Sequence, residues 1–247
     1  LDTTWDAIVR LDSAPGDEGV VDGSALADLL DSLPDRCSIS VPPARRTLLD
    51  GLVADLRSTR FKLPHGVESA EILAWSRARP VTDLFPERCE HRLVISPFLG
   101  SDALQGLPRP DKSGRSVLVS RPSSLSEEAA KGFEPYTLQT DVTDIDDGTD
   151  ARLGSDLHAK VFAFDDGERA TVILGSANAT SAAFGRNDEV VVRLHGDADK
   201  LGVLQIIGES GDDIDDDDRD LDLGMLLSPW SPGEEAEPDA DDGRFFE

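Results

Sequence analysis

His158-Ala159-Lys160, Asp165, Gly175-Ser176-Ala177-Asn178 and Asn187-Asp188-Glu189 lie close together between positions 158 and 189, and their reading decides the fold. From Leu157 to Phe164, Leu, Ala, Val and Ala on one parity alternate with His, Lys, Phe and Phe on the other. A period of two predicts a strand with His158 and Lys160 on the same face. Asp165-Asp166-Gly167 is a turn signal, and Ala170 to Leu174 reads as the second strand of a hairpin. Gly175 to Asn178 leaves that strand, Ala179 to Phe184 has one or two helical turns, and Asn187 to Leu194 closes as a further strand.

Paired in order, these strands would bring His158, Lys160, Ser176, Asn178 and Glu189 to one phosphate-sized site. Imidazole can attack phosphorus, ammonium and amide donors can hold the non-bridging oxygens, and a carboxylate can orient the imidazole. A Gly-Ser turn opening a helix would add backbone N–H groups that suit an anion. A lone His on a strand is ordinarily a packed or surface residue. Here the other motif parts raise it to a candidate nucleophile.

The pattern His-x-Lys-x4-Asp, then Gly-Ser-x-Asn, then Asn-x-Glu, resembles the phospholipase D superfamily, the HKD proteins. The resemblance runs from about Glu90 to Leu194 and opens with His91-Arg-Leu-Val-Ile-Ser-Pro-Phe98. The gap from Asp165 to Gly175 is a few residues longer than the commonest form, which a longer hairpin loop absorbs. The resemblance implies an α/β fold, a mixed β-sheet sandwiched by helices, with an N-terminal α/β subdomain and an acidic C-terminal tail added here. It also implies a metal-independent phosphodiesterase without cofactor, acting through a phosphohistidine. By that analogy His158 attacks phosphorus, Lys160 and Asn178 bind phosphoryl oxygens with Ser176 assisting, and Glu189 holds the second imidazole nitrogen. Asp165, Gly175 and Asn187 would be structural.

Two His-x-Lys sets face each other in that superfamily, and this chain has one. Gly66 and Val67 follow His65, Arg92 and Leu93 follow His91, and Gly196 and Asp197 follow His195. The second set is expected either from a homodimer mate related by a two-fold axis or from sequence outside this chain. The start at Leu1 without an initiator Met, and the end at Phe-Phe-Glu247 after an acidic stretch, read as a piece of a longer protein.

Composition frames the chemistry. The net charge is −26, the pI is about 4.3, and there are only five Lys, at 62, 112, 131, 160 and 200. Such a balance reads as a halophilic, acidic protein of a high-salt cytoplasm, with an acidic mesophile carrying a solvated tail as the other reading. Two Cys far apart in sequence point to a reduced, cytoplasmic setting. No apolar run approaches the ~18 residues of a membrane span, and Leu1 to Arg10 is not a signal peptide.

Three regions are expected: 1–88, an N-terminal α/β subdomain and connector; 89–207, the catalytic domain; and 208–247, an acidic linker or tail. Helices are predicted at Thr4–Leu11, Ser24–Leu33, Ala44–Arg57, Glu68–Ser76 and Asp102–Leu107, with another capped by Ser124 and Glu127. Strands are predicted at Cys37–Val41, Arg92–Pro97, Ser116–Ser120 and Tyr136–Thr140, with an acidic loop at Asp141–Asp156. Strands alternating with helices argue for an α/β sandwich.

The leading function is a nuclease hydrolysing DNA or RNA. The alternatives are a phospholipase or transphosphatidylase and a non-catalytic phosphodiester-binding module. A lipid enzyme would want an apolar or amphipathic face, and aromatics are only 5%. A charge of −26 repels nucleic acid at low salt, but at about 1 M salt the Debye length falls to ~3 Å. A basic strip of Arg92, Arg115, Arg121 and Lys160 would help. Arg121, after a strand end, is a candidate phosphate ligand, with a plain surface Arg as the other reading.

Overall fold

Alternate residues along the central strands all find apolar partners, so the sheet they form is covered on both faces. The structure is a computed structural model that describes residues 4–13, 19–76, 83–110, 113–139, 156–208 and 223–233. In chain order the early strands are β1 (Thr4–Trp5), β2 (Val21–Asp22), β3 (Arg60–Phe61), β4 (Ser69–Trp75), β5 (His91–Ile95) and β6 (Ser116–Val119). The later ones are β7 (Glu134–Leu138), β8 (Asp156–Leu157), β9 (Val161–Asp165), β10 (Arg169–Gly175), β11 (Glu189–Asp197) and β12 (Leu227–Pro229). The helices are α1 (Ser24–Ser32), α2 (Pro43–Ser58), α3 (Ser101–Gln105), α4 (Ser181–Gly185), α5 (Ala198–Leu201) and α6 (Val203–Ile206).

Eight strands form one mixed sheet in the order β12-β7-β6-β5-β9-β10-β11-β4. β5, β6 and β7 run parallel, and every other neighbouring pair is antiparallel. One face buries Val94, Leu118, Phe162, Ile173 and Val191 with Leu104 of α3 and Ala183 of α4. The other buries Leu93, Val117, Ala163 and Val172 with Val203 of α6 and Ile207. This is the α/β sandwich expected from the alternation of elements.

The β9–β10 hairpin forms where the sequence placed it. Gly167 takes φ 87° in the connecting turn, a left-handed conformation that glycine adopts without a Cβ penalty. Asp166 Oδ1 accepts the N–H groups of Glu168 (3.1 Å) and Arg169 (2.7 Å), which holds its carboxylate below the usual range. Asp165 is buried: Oδ1 accepts Gly167 N–H at 3.2 Å and Oδ2 accepts Val203 N–H at 2.8 Å. α1 and α2 form as expected, the latter with Pro43 in its first turn.

Several expectations change. Ser69–Trp75, read as a helix, is an edge strand paired with β11. Pairing with β11 and burial of Trp75, whose Nε1 donates to the Ala183 carbonyl at 2.8 Å, override the local propensity. The sheet therefore crosses the expected boundary at 88/89. Thr4–Trp5 is a strand rather than the start of a helix, because it pairs in parallel with β8. No strand forms at 37–41. The helix expected after Ser124 is absent: Pro122–Ser124 is a 3-10 turn and the Ser124 hydroxyl donates to the Pro97 carbonyl (2.7 Å) instead of capping. Leu227–Pro229, in the region read as linker or tail, pairs with β7 at the edge of the sheet. The acidic loop lies outside the described residues apart from Asp156 at its end, as does the Asp212–Asp222 run. No helix among the described residues is long and apolar enough to cross a membrane.

Candidate active site

The strand register sets the site at one end of the sheet. Ile95 pairs with Val161, Val161 with Leu174, and Gly175 with Val191. The ends of β5 and β10 therefore share an edge with the starts of β9 and β11. Lys160 stands just before β9, Ser176 just after β10, and Glu189 opens β11. His91 and Asp165 pair with each other at the far end, where Thr171 pairs with His195. Ile95 lies four residue steps along the strand from His91, roughly 13 Å. Neither His91 nor His195 can therefore supply a second histidine to this end within the chain. His91 Nδ1 accepts Arg115 N–H at 2.9 Å, and His195 Nδ1 meets Thr171 Oγ1 at 3.0 Å, with burial lowering the pKa of His195.

His158 and Lys160 do not sit on a regular strand. They lie in the short connection between β8 and β9. The Trp5 carbonyl receives both the His158 and the Ala159 N–H at 2.8 Å, fixing this connection against β1. The imidazole is well exposed, at 58% of its side-chain surface, and its Nδ1 lies 2.8 Å from Asp6 Oδ1. A carboxylate can only accept, so Nδ1 is the donor and Nε2 carries the lone pair of the neutral ring. Lys160 is buried, and its Nζ donates back to the His158 carbonyl at 2.5 Å. Its ammonium is thus tied to the same loop as the imidazole.

Glu189 was expected at the second imidazole nitrogen. In the structure its carboxylate is held elsewhere: one oxygen accepts the Ser176 hydroxyl, the other the Asn187 amide at 3.2 Å. Glu189 is buried, and these two donors satisfy it without an imidazole. Ser176 also accepts Val190 N–H at 2.9 Å, so the Gly-Ser turn is locked to β11. Gly175 makes that contact possible. Its φ is 155°, and a Cβ there would stand 2.3 Å from the Val190 carbonyl oxygen.

Several N–H groups around the Gly-Ser turn are taken up within the fold. The N–H groups of Gly175, Ser176, Ala179 and Thr180 donate to Lys160 O, Val190 O, Ser96 Oγ and Asn178 O. α4 starts later, at Ser181, capped by Thr180. Asn178 sits beside Ser96, its Oδ1 3.5 Å from that hydroxyl. Ser96 is fully buried and also donates to the Phe98 carbonyl at 2.7 Å, joining the end of β5 to the Asn178 turn.

The basic strip dissolves into separate roles. Arg92 is buried, donates to Ser116, Pro108 and Gly132, and lies 3.7 Å over the Phe133 ring; burial lowers its pKa to about 10. Arg115 forms an ion pair with Glu134 at 2.7 Å. Arg121 alone of the three stays near the site: Nε donates to the Leu157 carbonyl, next to His158, at 3.1 Å. Its guanidinium stands 5.0 Å from the ring of Phe98, which is 51% exposed. Sequence reasoning missed Asp6, Ser96 and Phe98 as site residues. A Ser-Pro-Phe run ending an apolar strand was a usable signal for the last two, whereas nothing local marks Asp6.

No family model matches the chain, and no curated protein does either. Among solved structures it is similar to yeast tyrosyl-DNA phosphodiesterase, at 15% identity over 51% of this chain and 31% of that one, with a TM-score of 0.34. It is also similar to NucT from Helicobacter pylori, at 18% identity over 42% of this chain and 67% of that one, with a TM-score of 0.29. The match spans about a third of the yeast enzyme's length. The likeness is partial.

Proposed function

We propose that this chain is half of a metal-independent phosphodiesterase site, and that it hydrolyses nucleic-acid phosphodiesters through a phosphohistidine at His158. The observation that carries the reading is the exposed imidazole with its Nδ1 held by a carboxylate and the Lys160 ammonium tied beneath the same loop. In the first step His158 Nε2 attacks phosphorus, a P–N bond forms, and the bond to the leaving oxygen breaks. That oxygen takes a proton from a second histidine, supplied by a second copy of this chain or by sequence outside it. Water then attacks phosphorus, its proton passes to that second histidine, and the P–N bond returns its electron pair to Nε2. Lys160 and Asn178 hold the non-bridging oxygens, and Ser176 and Glu189 hold the turn that positions Asn178.

Nucleic acid is favoured over phospholipid by the rim. Phe98 exposes its ring beside Arg121, within one residue of the backbone that carries His158. An aromatic face takes an unstacked base, and the adjacent guanidinium suits a phosphate. The acidic surface fits an enzyme that works in molar salt, where long-range repulsion is screened.

Light scattering in molar salt, paired with cleavage in EDTA, tests the reading. A dimer that cuts an oligonucleotide in EDTA, and leaves phosphatidylcholine vesicles intact, is expected. Cleavage of the vesicles alone would point to the phospholipase reading, and cleavage that EDTA abolishes would overturn the mechanism. Phe98→Ala is expected to raise KM for the oligonucleotide ~10-fold, since stacking contributes about 1–3 kcal/mol per base. KM for a small aryl phosphodiester should not change.

A further inference from the structure

We infer that the N-terminal strand is part of the active site, with Asp6 as the positioning residue that sets the tautomer and orientation of His158. The inference rests on His158 being the nucleophile proposed above.

Two independent contacts place Asp6 there. The β1 backbone is registered on β8, Thr4 against Asp156 and Trp5 against Leu157, and the Trp5 carbonyl takes the N–H groups of His158 and Ala159. Trp5 also packs against the apolar cluster on that face of the sheet. The next residue therefore emerges beside the imidazole, and Asp6 Oδ1 meets Nδ1 at 2.8 Å. Glu189, the carboxylate that opens β11, is engaged by Ser176 and Asn187. The two acids divide the work, Glu189 holding the turn after β10 and Asp6 holding the ring.

The consequence is chemical rather than structural. A half-exposed pair of this kind contributes little to folding. It does fix the proton on Nδ1, leave the Nε2 lone pair for phosphorus, and offset the positive charge that the ring acquires once the P–N bond forms.

The test uses the full chain labelled with 15N-histidine, the His158 signals being identified by their loss in His158→Asn. Wild type is expected to show the Nδ1–H tautomer at His158. Asp6→Ala should shift the ring toward the mixture of a free imidazole and lower kcat on the order of 10²-fold, with KM within about twofold and thermal unfolding unchanged. Asp6→Glu should restore both the tautomer and most of kcat. A ring tautomer identical in wild type and Asp6→Ala overturns the inference, and so does a shifted tautomer with unchanged kcat in an active enzyme. An inert wild type would count against the nuclease reading, while the tautomer comparison would still decide whether Asp6 orients the ring.

Discussion

His158→Asn is expected to lower turnover by at least ~10³-fold, because the amide cannot form the P–N bond. The loss should fall on kcat, with little change in oligonucleotide affinity, since Lys160, Asn178 and the Phe98–Arg121 rim remain. The fold should persist. The imidazole is 58% exposed, and its one side-chain partner among the described residues is Asp6. Exposed substitutions of this kind shift stability by only about 0.5 kcal/mol. Steady-state kinetics with thermal unfolding of the same preparation checks both halves. A variant that unfolds at a much lower temperature would mean that His158 holds the structure rather than the chemistry.

Lys160→Met should cost the next largest factor, on the order of 10²- to 10³-fold in kcat. Methionine keeps the apolar stem in its buried place and removes the ammonium. Two effects combine: the non-bridging oxygens lose a cation in a poorly solvated position, and the His158 carbonyl loses the donor that tethers its loop. Because phosphoryl charge is redistributed in the transition state, the deficit belongs in kcat more than in KM. An increase in KM alone would restrict Lys160 to ground-state binding, and an unchanged rate would remove it from the site.

Much of this site was legible because its parts are local. The Asp165-Asp166-Gly167 turn and the alternation on either side of it specify a hairpin by themselves. That hairpin carries Lys160 and Ser176 to the same end of the sheet. Asp165 was read as structural from the turn signal beside it, and its carboxylate bonds to Gly167 and Val203. What failed depended on distant pairing. Ser69–Trp75 is compatible with a helix until β11 supplies a ladder for it. Asp6 lies 152 residues from His158 and carries no motif. Glu189 was given to the imidazole by resemblance, yet its neighbours Ser176 and Asn187 satisfy it first. Arg92 was grouped with Arg115, Arg121 and Lys160 as a possible basic strip, whereas the carbonyls of Pro108 and Gly132 draw it into the interior.

The central claim is covalent chemistry at His158, and rapid denaturing quench of the working enzyme tests it most directly. The protein would be mixed with an oligonucleotide in EDTA and molar salt, quenched at alkaline pH, where phosphohistidine survives, and its peptides examined by mass spectrometry. The account predicts a nucleotidyl adduct on the peptide containing His158, formed at the rate of cleavage and missing from His158→Asn. Cleavage that proceeds with no adduct, or with an adduct on another residue, would contradict it.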